Sequence, residues 1–564
     1  MNLRIGEAVE RRLLCMGVPQ GSPLSPILFL VFIDDLVRDL SAIAYAQAFA
    51  DDIVVWWHAP KGDSGAVIGQ RVLRAVEQWS IAWKAIFNPS KCHPMVISRQ
   101  RGEPLPTLVL HGTPLTLVDR LRYLGVWFDS TLSWGAHIGA ISHQAMDRLR
   151  AIHRGAGSLW GLHPQIISRM VHAAVLPALF YAAPAWCSAV RHLARLRPLD
   201  RVLRLCGLCI LGLLRTVSGD AARTLAGLLP AEFQIRSRVV EFYMCHLRYD
   251  HDLRFTHPPS MPLNQVVSPC EILGLELRQL ECAFPGFGER LAHVEHCVLW
   301  YEDPTSANWQ PPISILIAEA SVERILHERR EGSPETLWVF TDGSVDGTHC
   351  GAAAIFFWGT DPHCQPFSEH FIGQHSSTQV ELVAPELGCR HAQELGGAPC
   401  ITIVSDSQAA LMAIRKCQGG SQLAVTARQA IKTLARYTRT LRIWWTPSHV
   451  DLLENDLADE AAKAAAGGTS MDALRDIPLC AAALRTTIRA HYTKRTDTQW
   501  ALTDMGHDLW EVMPHFSRGL IWMQDMSRKD VALVAQFLSG HYPTQAYLHR
   551  FGHPVDGSCR WCDA

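Results

Sequence analysis

Net charge is what this sequence most lacks: 52 Lys and Arg stand against 54 Asp and Glu, leaving −2 at pH 7. That excludes a global basic field, so any contact with a polyanion must come from local patches. One such stretch runs from Arg191 to Arg248, where Arg195, Arg197, Arg201, Arg204, Arg215, Arg223, Arg236 and Arg238 recur. A solvated helix face is an equal reading of that pattern. A secretory leader is also missing, because residues 1–14 alternate charged and apolar positions without an apolar core. The 17 cysteines are therefore expected in a reducing compartment, mostly as free, buried thiols. Internal repeats and low-complexity tracts are absent. Long apolar runs are scarce too. The stretch from Val171 to Val190 has no Asp, Glu, Lys or Arg, but Pro177 and Pro184 interrupt it. It predicts a pair of short buried helices rather than a span, and no membrane partner is expected. No basic import run distinguishes nucleus from cytoplasm.

What is present is enough apolar sequence for several cores. Hydrophobic residues make up 48% of 564 positions, which suits about two to four domains. Residues 1–130 read as mixed strand and helix, and 131–250 as helices. Residues 251–334, with Pro258-Pro259 and Pro311-Pro312, read as a linker with a helix before Glu335. Residues 335–468 alternate strand-like and helix-like runs, the pattern of an α/β domain. Residues 469–564 read as a helical tail.

Within 335–468, four acids stand where chemistry is expected. Leu337 to Asp342 (LWVFTD) is a short apolar run ending in a carboxylate and followed by Gly343-Ser344; Gly351 to Trp358 completes a hairpin. Ile401 to Asp406 (ITIVSD) is a second strand ending in an acid. Ser376 to Leu387 reads as a helix with Glu381 on its apolar side. Trp444 to Lys463 reads as a strand, a loop holding His449, and a helix presenting Asp459. An acid facing a cleft costs desolvation unless it is paired or holds a metal. Singly, each is better explained as a cap or turn residue; their order is what carries information.

That order, over about Leu337 to Gly468, resembles the type 1 ribonuclease H family. The resemblance implies a mixed five-stranded sheet with helices on it. It also implies Asp342, Glu381, Asp406 and Asp459 as metal ligands, with His449 on a mobile loop assisting proton movement or product release. Two Mg²⁺ ions about 4 Å apart, with Mn²⁺ as an alternative, would activate water and stabilise the leaving oxygen in hydrolysis of the RNA strand of an RNA–DNA hybrid. Asp451, Leu453 and Glu454 depart from the family's Gly-rich turn after the histidine. They remove positions tolerant of left-handed backbone and add negative charge.

A second motif set lies upstream. Gly17 to Pro26 (GVPQGSPLSP), with Gln20, Gly21 and Ser22, is a loop running into an apolar helix; Ala48 to Val55 (AFADDIVV) places Asp51-Asp52 at a hairpin tip. Adjacent carboxylates repel unless a divalent cation neutralises them. Asn88-Pro89-Ser90-Lys91 and Tyr123-Leu124-Gly125 follow. Asp34-Asp35 reads as a surface pair at a helix end. The set resembles the reverse transcriptase of LINE-like non-LTR retrotransposons, and implies an incomplete α+β palm over 1–130 with a helical thumb and connection over 131–250. The segment before Gly17 is too short for the strand that carries a further metal-binding Asp in that family. Polymerase activity is accordingly not expected unless more sequence lies upstream. At the other end Cys559-Arg-Trp-Cys562 resembles the start of the zinc knuckle of these elements. Only half of a tetrahedral zinc site is encoded there, with His549 and His553 upstream in an unusual order.

The expectation is thus a Mg²⁺-dependent endonuclease on RNA–DNA hybrids within a truncated retroelement protein. Two other readings stand beside it. One is an inactive remnant that binds nucleic acid, and the other, given upstream sequence, is an RNA-directed DNA polymerase.

Overall fold

The computed structural model describes residues 2–5, 8–11, 17–18, 21–58, 64–97, 107–157, 159–247, 269–285, 287–292, 317–347, 349–372, 375–396, 398–415, 421–448, 452–468, 481–503, 509, 512–515, 526–550, 552, 554–555 and 558. The chain forms two compact units, Met1–Ala140 and Ile141–Ala564.

In the first unit the helix Ser25–Ser41 follows the Gly/Pro/Ser loop, with Pro26 in its first turn where a missing N–H costs nothing. It buries Ile33, Leu36 and Leu40 against Val72 and Trp79 of the helix Ser64–Trp83. Apolar spacing persists through Leu40, so Asp34-Asp35 lie in mid-helix rather than at its end; Asp34 pairs with Arg38 at 2.5 Å. Strands Tyr45–Phe49 and Asp52–Trp56 pair antiparallel, and Phe49 faces Asp52 across a turn of Ala50 and Asp51. A similar tight turn, Leu124-Gly125, has both residues at positive φ and joins strands Arg120–Tyr123 and Val126–Asp129.

The second unit contains the α/β sheet. Its strand order is Cys364–Ile372, His349–Trp358, Thr336–Asp346, Cys400–Ser405, Thr440–Trp445 and Ile317–Glu319, with the first two pairings antiparallel and the rest parallel. The five strands from 336 to 445 are those the fold class requires. The sixth corrects the domain boundary, because Ile317–Glu319 comes from the segment read as a linker. Period-two alternation sends Leu337 and Val339 into one core, under the helices Ser377–Glu394 and Gln422–Tyr437. Trp338 and Phe340 enter the opposite core, under the helices Val322–Glu331 and Leu453–Ala466. A strand buried on both faces reads as a continuous apolar run, which explains LWVF.

The same expected linker is further corrected by helices Pro269–Ala283 and Phe287–Ala292. The former packs on Ala231–Leu247, because its Glu276 is fully buried and accepts from Arg236 of that helix. Tyr492 and Arg495 of the tail helix Ala481–Ala501 reach the same carboxylate, at 2.7 and 2.8 Å. Arg528 of the helix Arg528–Leu538 donates to the carbonyls of Gly157, Cys209 and Ile210 at 2.8–3.0 Å. Tail and helical region therefore share buried polar contacts.

Around Val171–Val190 the backbone breaks as the prolines predict: Pro164–Leu179 and Ala183–Arg191 are bent by 47°. No single described helix is long and apolar enough to cross a membrane. Ten cysteines among the described residues are outside disulfides, five of them buried.

Candidate active site

Asp342 lies within the central strand Thr336–Asp346, opposite Ala353, and is 6% exposed. The next residue has to be glycine: a Cβ on Gly343 would sit 2.8 Å from the backbone N of Glu381 and the carbonyl carbon of Val380. That close approach lets the helix Ser377–Glu394 present Glu381 beside Asp342. The helix starts at a capping box, in which Ser376 and Gln379 satisfy each other's backbone N–H groups. Asp406 follows the parallel neighbour strand Cys400–Ser405. Its backbone carbonyl accepts from Trp445 Nε1 at 3.0 Å, and its Oδ2 accepts from Asn455 Nδ2 at 3.3 Å.

These elements bring one carboxylate oxygen each from Asp342, Glu381 and Asp406 within 4.8 Å of one another. Among the described residues this is the one His/Cys/Asp/Glu cluster of metal-binding size. Burial raises the Asp342 carboxyl to about 7, with the Asp406 charge next in importance. Burial likewise raises Glu381 to about 9, aided by the charges of Asp342 and Asp406. Glu381 Oε2 is buried with no hydrogen-bond partner. Three crowded acids with an orphaned oxygen are surroundings that a divalent cation would neutralise.

Asp459 stands at the edge of this cluster. It is within hydrogen-bonding reach of Asp342, while Lys463 Nζ donates to its Oδ2 at 2.6 Å from one turn on. Its helix lies directly on the strand His349–Trp358, where a Cβ on Gly351 would meet the Ala462 carbonyl oxygen at 2.2 Å. His449, Asp451, Gln20, His553, Cys559 and Cys562 lie outside the described residues. Gly21 has φ +89° and Ser22 leads into the helix at Ser25. Asp51 and Asp52 are exposed at their hairpin tip, and Lys91 is exposed on a turn capped by Asn88.

Two sequence readings change here. Glu454 is not a free charge in a loop: it belongs to the first turn of the helix Leu453–Ala466 and pairs with Arg329. Half of the eight named arginines have internal partners, while Arg197, Arg201 and Arg215 stay exposed. Arg236 pairs with Glu232 and Glu276, Arg223 with Asp200 and Asp220, and Arg204 donates to the Val217 carbonyl. Burial lowers the pKa of Arg238, whose guanidinium lies over the Phe180 ring at 4.8 Å. Sequence reasoning missed Asn455 and Arg329. The signal for Asn455 was available, since it precedes Asp459 by one helical turn and so shares its face.

Two family models match the chain: Reverse transcriptase (RNA-dependent DNA polymerase) over residues 3–128, and RNase H over residues 334–467. The chain is 26% identical over 229 residues to the putative 115 kDa protein in type-1 retrotransposable element R1DM of Drosophila melanogaster, covering 40% of this chain and 22% of that protein. It is 27% identical over 191 residues to the RNA-directed DNA polymerase from mobile element jockey of Drosophila funebris, covering 33% of this chain and 21% of that one. The chain thus spans about a fifth of the length of these two relatives. A solved N-terminal RNase H domain from Mycobacterium tuberculosis, fused to maltose binding protein, is 21% identical, with a TM-score of 0.21, over 24% of this chain and 99% of that one. In sequence the chain is therefore similar to LINE-like non-LTR retrotransposon proteins, with a segment matching reverse transcriptase ahead of one matching RNase H.

Proposed function

We propose that the chain hydrolyses the RNA strand of RNA–DNA hybrids endonucleolytically, with Mg²⁺, at Asp342, Glu381, Asp406 and Asp459. The observation that carries this reading is the buried triad of carboxylates within 4.8 Å, two of them raised far above the usual carboxylate range. Asp342, Glu381 and Asp406 would hold the cation, and Asp459 would join once Lys463 gives up its oxygen. A bound divalent ion supplies Lewis-acid activation of water and charge stabilisation at the scissile phosphate. Asn455 fixes the rotamer of Asp406 through its amide, and Trp445 fixes the backbone beneath it. Lys463 limits like-charge repulsion while the acids are unshielded. His449 is assigned the proton-moving role that the family resemblance implies. Zinc binding at Cys559 and Cys562 is not part of the proposal. Neither is DNA synthesis at Asp51 and Asp52.

The test is cleavage of an end-labelled RNA–DNA hybrid in Mg²⁺ by the full chain and by Asp406→Asn. The wild type should cut within the RNA strand. The variant should lose more than about 100-fold, beyond the range typical of groups that merely orient ligands. Equal Mg²⁺-dependent cleavage by both proteins would overturn the assignment.

A further inference from the structure

The family match begins at residue 334, yet the sheet and the second core begin at Ile317. Ile317–Glu319 pairs in parallel with Ile443–Trp445, and Ala320 N donates to the Trp445 carbonyl at 2.9 Å. The helix Val322–Glu331 then buries Ile325 against Trp338, Phe340 and Trp444. From its last turn Arg329 reaches the helix that carries Asn455 and Asp459, and pairs there with Glu454. Both side chains are nearly enclosed, at 9% and 13% exposure. The Arg329 guanidinium lies over the Phe357 ring at 4.5 Å and also donates to the Asp361 carbonyl at 3.2 Å. Glu454 Oε2 is buried with no hydrogen-bond partner, so Arg329 carries the pairing.

Glu454 sits next to Asn455, whose amide holds Asp406, and about one turn before Asp459. The helix has no side-chain cap, because Leu452 occupies the N-cap position. Its N-terminal turn is therefore held by the Arg329–Glu454 pair instead of by a cap hydroxyl or carboxylate. Rotation of that turn would move Asn455 away from Asp406 and Asp459 away from Asp342 together.

We infer that Arg329, outside the matched RNase H segment 334–467, is a positioning residue for the metal-binding acids, acting through Glu454 on the phase of the helix that bears Asn455 and Asp459. The inference rests on the function proposed above, and it makes the segment 317–331 a working part of the active domain rather than a spacer.

The experiment uses the full chain and two readouts: the rise in melting temperature with added Mg²⁺, and the Mg²⁺ dependence of hybrid cleavage. Arg329→Met keeps the packing volume and removes the charge, and Glu454→Gln removes the partner's charge. Each should raise the Mg²⁺ concentration for half-maximal effect by about tenfold in both readouts. The double variant should lose no more than either single one, because the two act as one unit. Arg329→Lys should recover part of the shift. Arg324→Met, half-exposed on the same helix, should change neither readout. If Arg329→Met does not fold, Glu454→Gln and Arg329→Lys decide the question. An unmoved Mg²⁺ midpoint with only a lower metal-free melting temperature would overturn the inference, as would additive losses. A wild type that Mg²⁺ stabilises without cleaving overturns the hydrolase reading and leaves this one to the thermal midpoints; a wild type that Mg²⁺ does not stabilise overturns both.

Discussion

Asp342 and Asp406 of the RNase H domain and Asp51-Asp52 of the hairpin share a local design, a carboxylate that follows an apolar strand run. Their surroundings then diverge. Asp342 is enclosed by a parallel neighbour strand, a close-packed helix at Gly343 and a second helix at Gly351. Asp51 and Asp52 sit on an isolated two-stranded ribbon and are exposed. On the function proposed above, enclosure is what would turn such an acid into a metal ligand. It removes the water that would otherwise stabilise the charge, so a cation becomes the favourable way of holding several carboxylates together.

The sharpest test of that contrast is the packing that produces the enclosure. Gly343→Ala puts a methyl group 2.8 Å from two backbone atoms of the Glu381 helix. It should cost about 1–3 kcal/mol, lowering the melting temperature of the RNase H domain by several degrees and abolishing cleavage. A fully stable, active Gly343→Ala protein would show that the close approach does not position Glu381.

A smaller effect should appear in the pH dependence of the metal-free protein. Native Asp342 and Glu381 retain protons that unfolded carboxyls release near about pH 4. Their contribution to stability is therefore complete at acid pH. It is lost as the pH rises through about 7 for Asp342 and about 9 for Glu381. The domain's melting temperature should fall between pH 5 and 9, with each kcal/mol appearing as roughly 2–4 °C. Mg²⁺ should flatten the slope by stabilising the ionised acids. A metal-free melting temperature independent of pH would break the link between burial and metal demand.

The smallest effect belongs to the hairpin. Asp51→Asn combined with Asp52→Asn should leave hybrid cleavage unchanged and the melting temperature within about 1 °C, as exposed surface substitutions do. A large loss of cleavage on that change would mean that the two regions are not functionally separate.

The sheet and its acids were legible because the information is local. LWVFTD and ITIVSD are runs that only a doubly covered strand uses, and Gly343 reports the tight approach by its identity. Partnerships across long sequence separations were not legible. Arg329 finds Glu454 at a separation of 125 residues, and Arg528 finds Cys209 at 319; neither position carries a nearby mark of its partner. The arginine stretch misled for the same reason. Its periodicity was visible, whereas the acid that neutralises Arg236 lies beyond it at Glu276. The helix expected before Glu335 is Val322–Glu331, but the proline pairs gave no sign of the strand Ile317–Glu319 or of the helix Pro269–Ala283 within the same region.

One consequence concerns where the chain can be divided. Glu276 is fully buried and shared by Arg236, Tyr492 and Arg495. A fragment cut after the RNase H domain would keep the acid and one arginine while discarding the other two donors. Breaking a buried ionic set in this way is strongly destabilising, by about 3–5 kcal/mol. Fragments for expression should therefore either isolate residues 317–468 or retain the helix Ala481–Ala501 with the helical region before the sheet. The covalent order along the chain and the units that survive separation are two different maps.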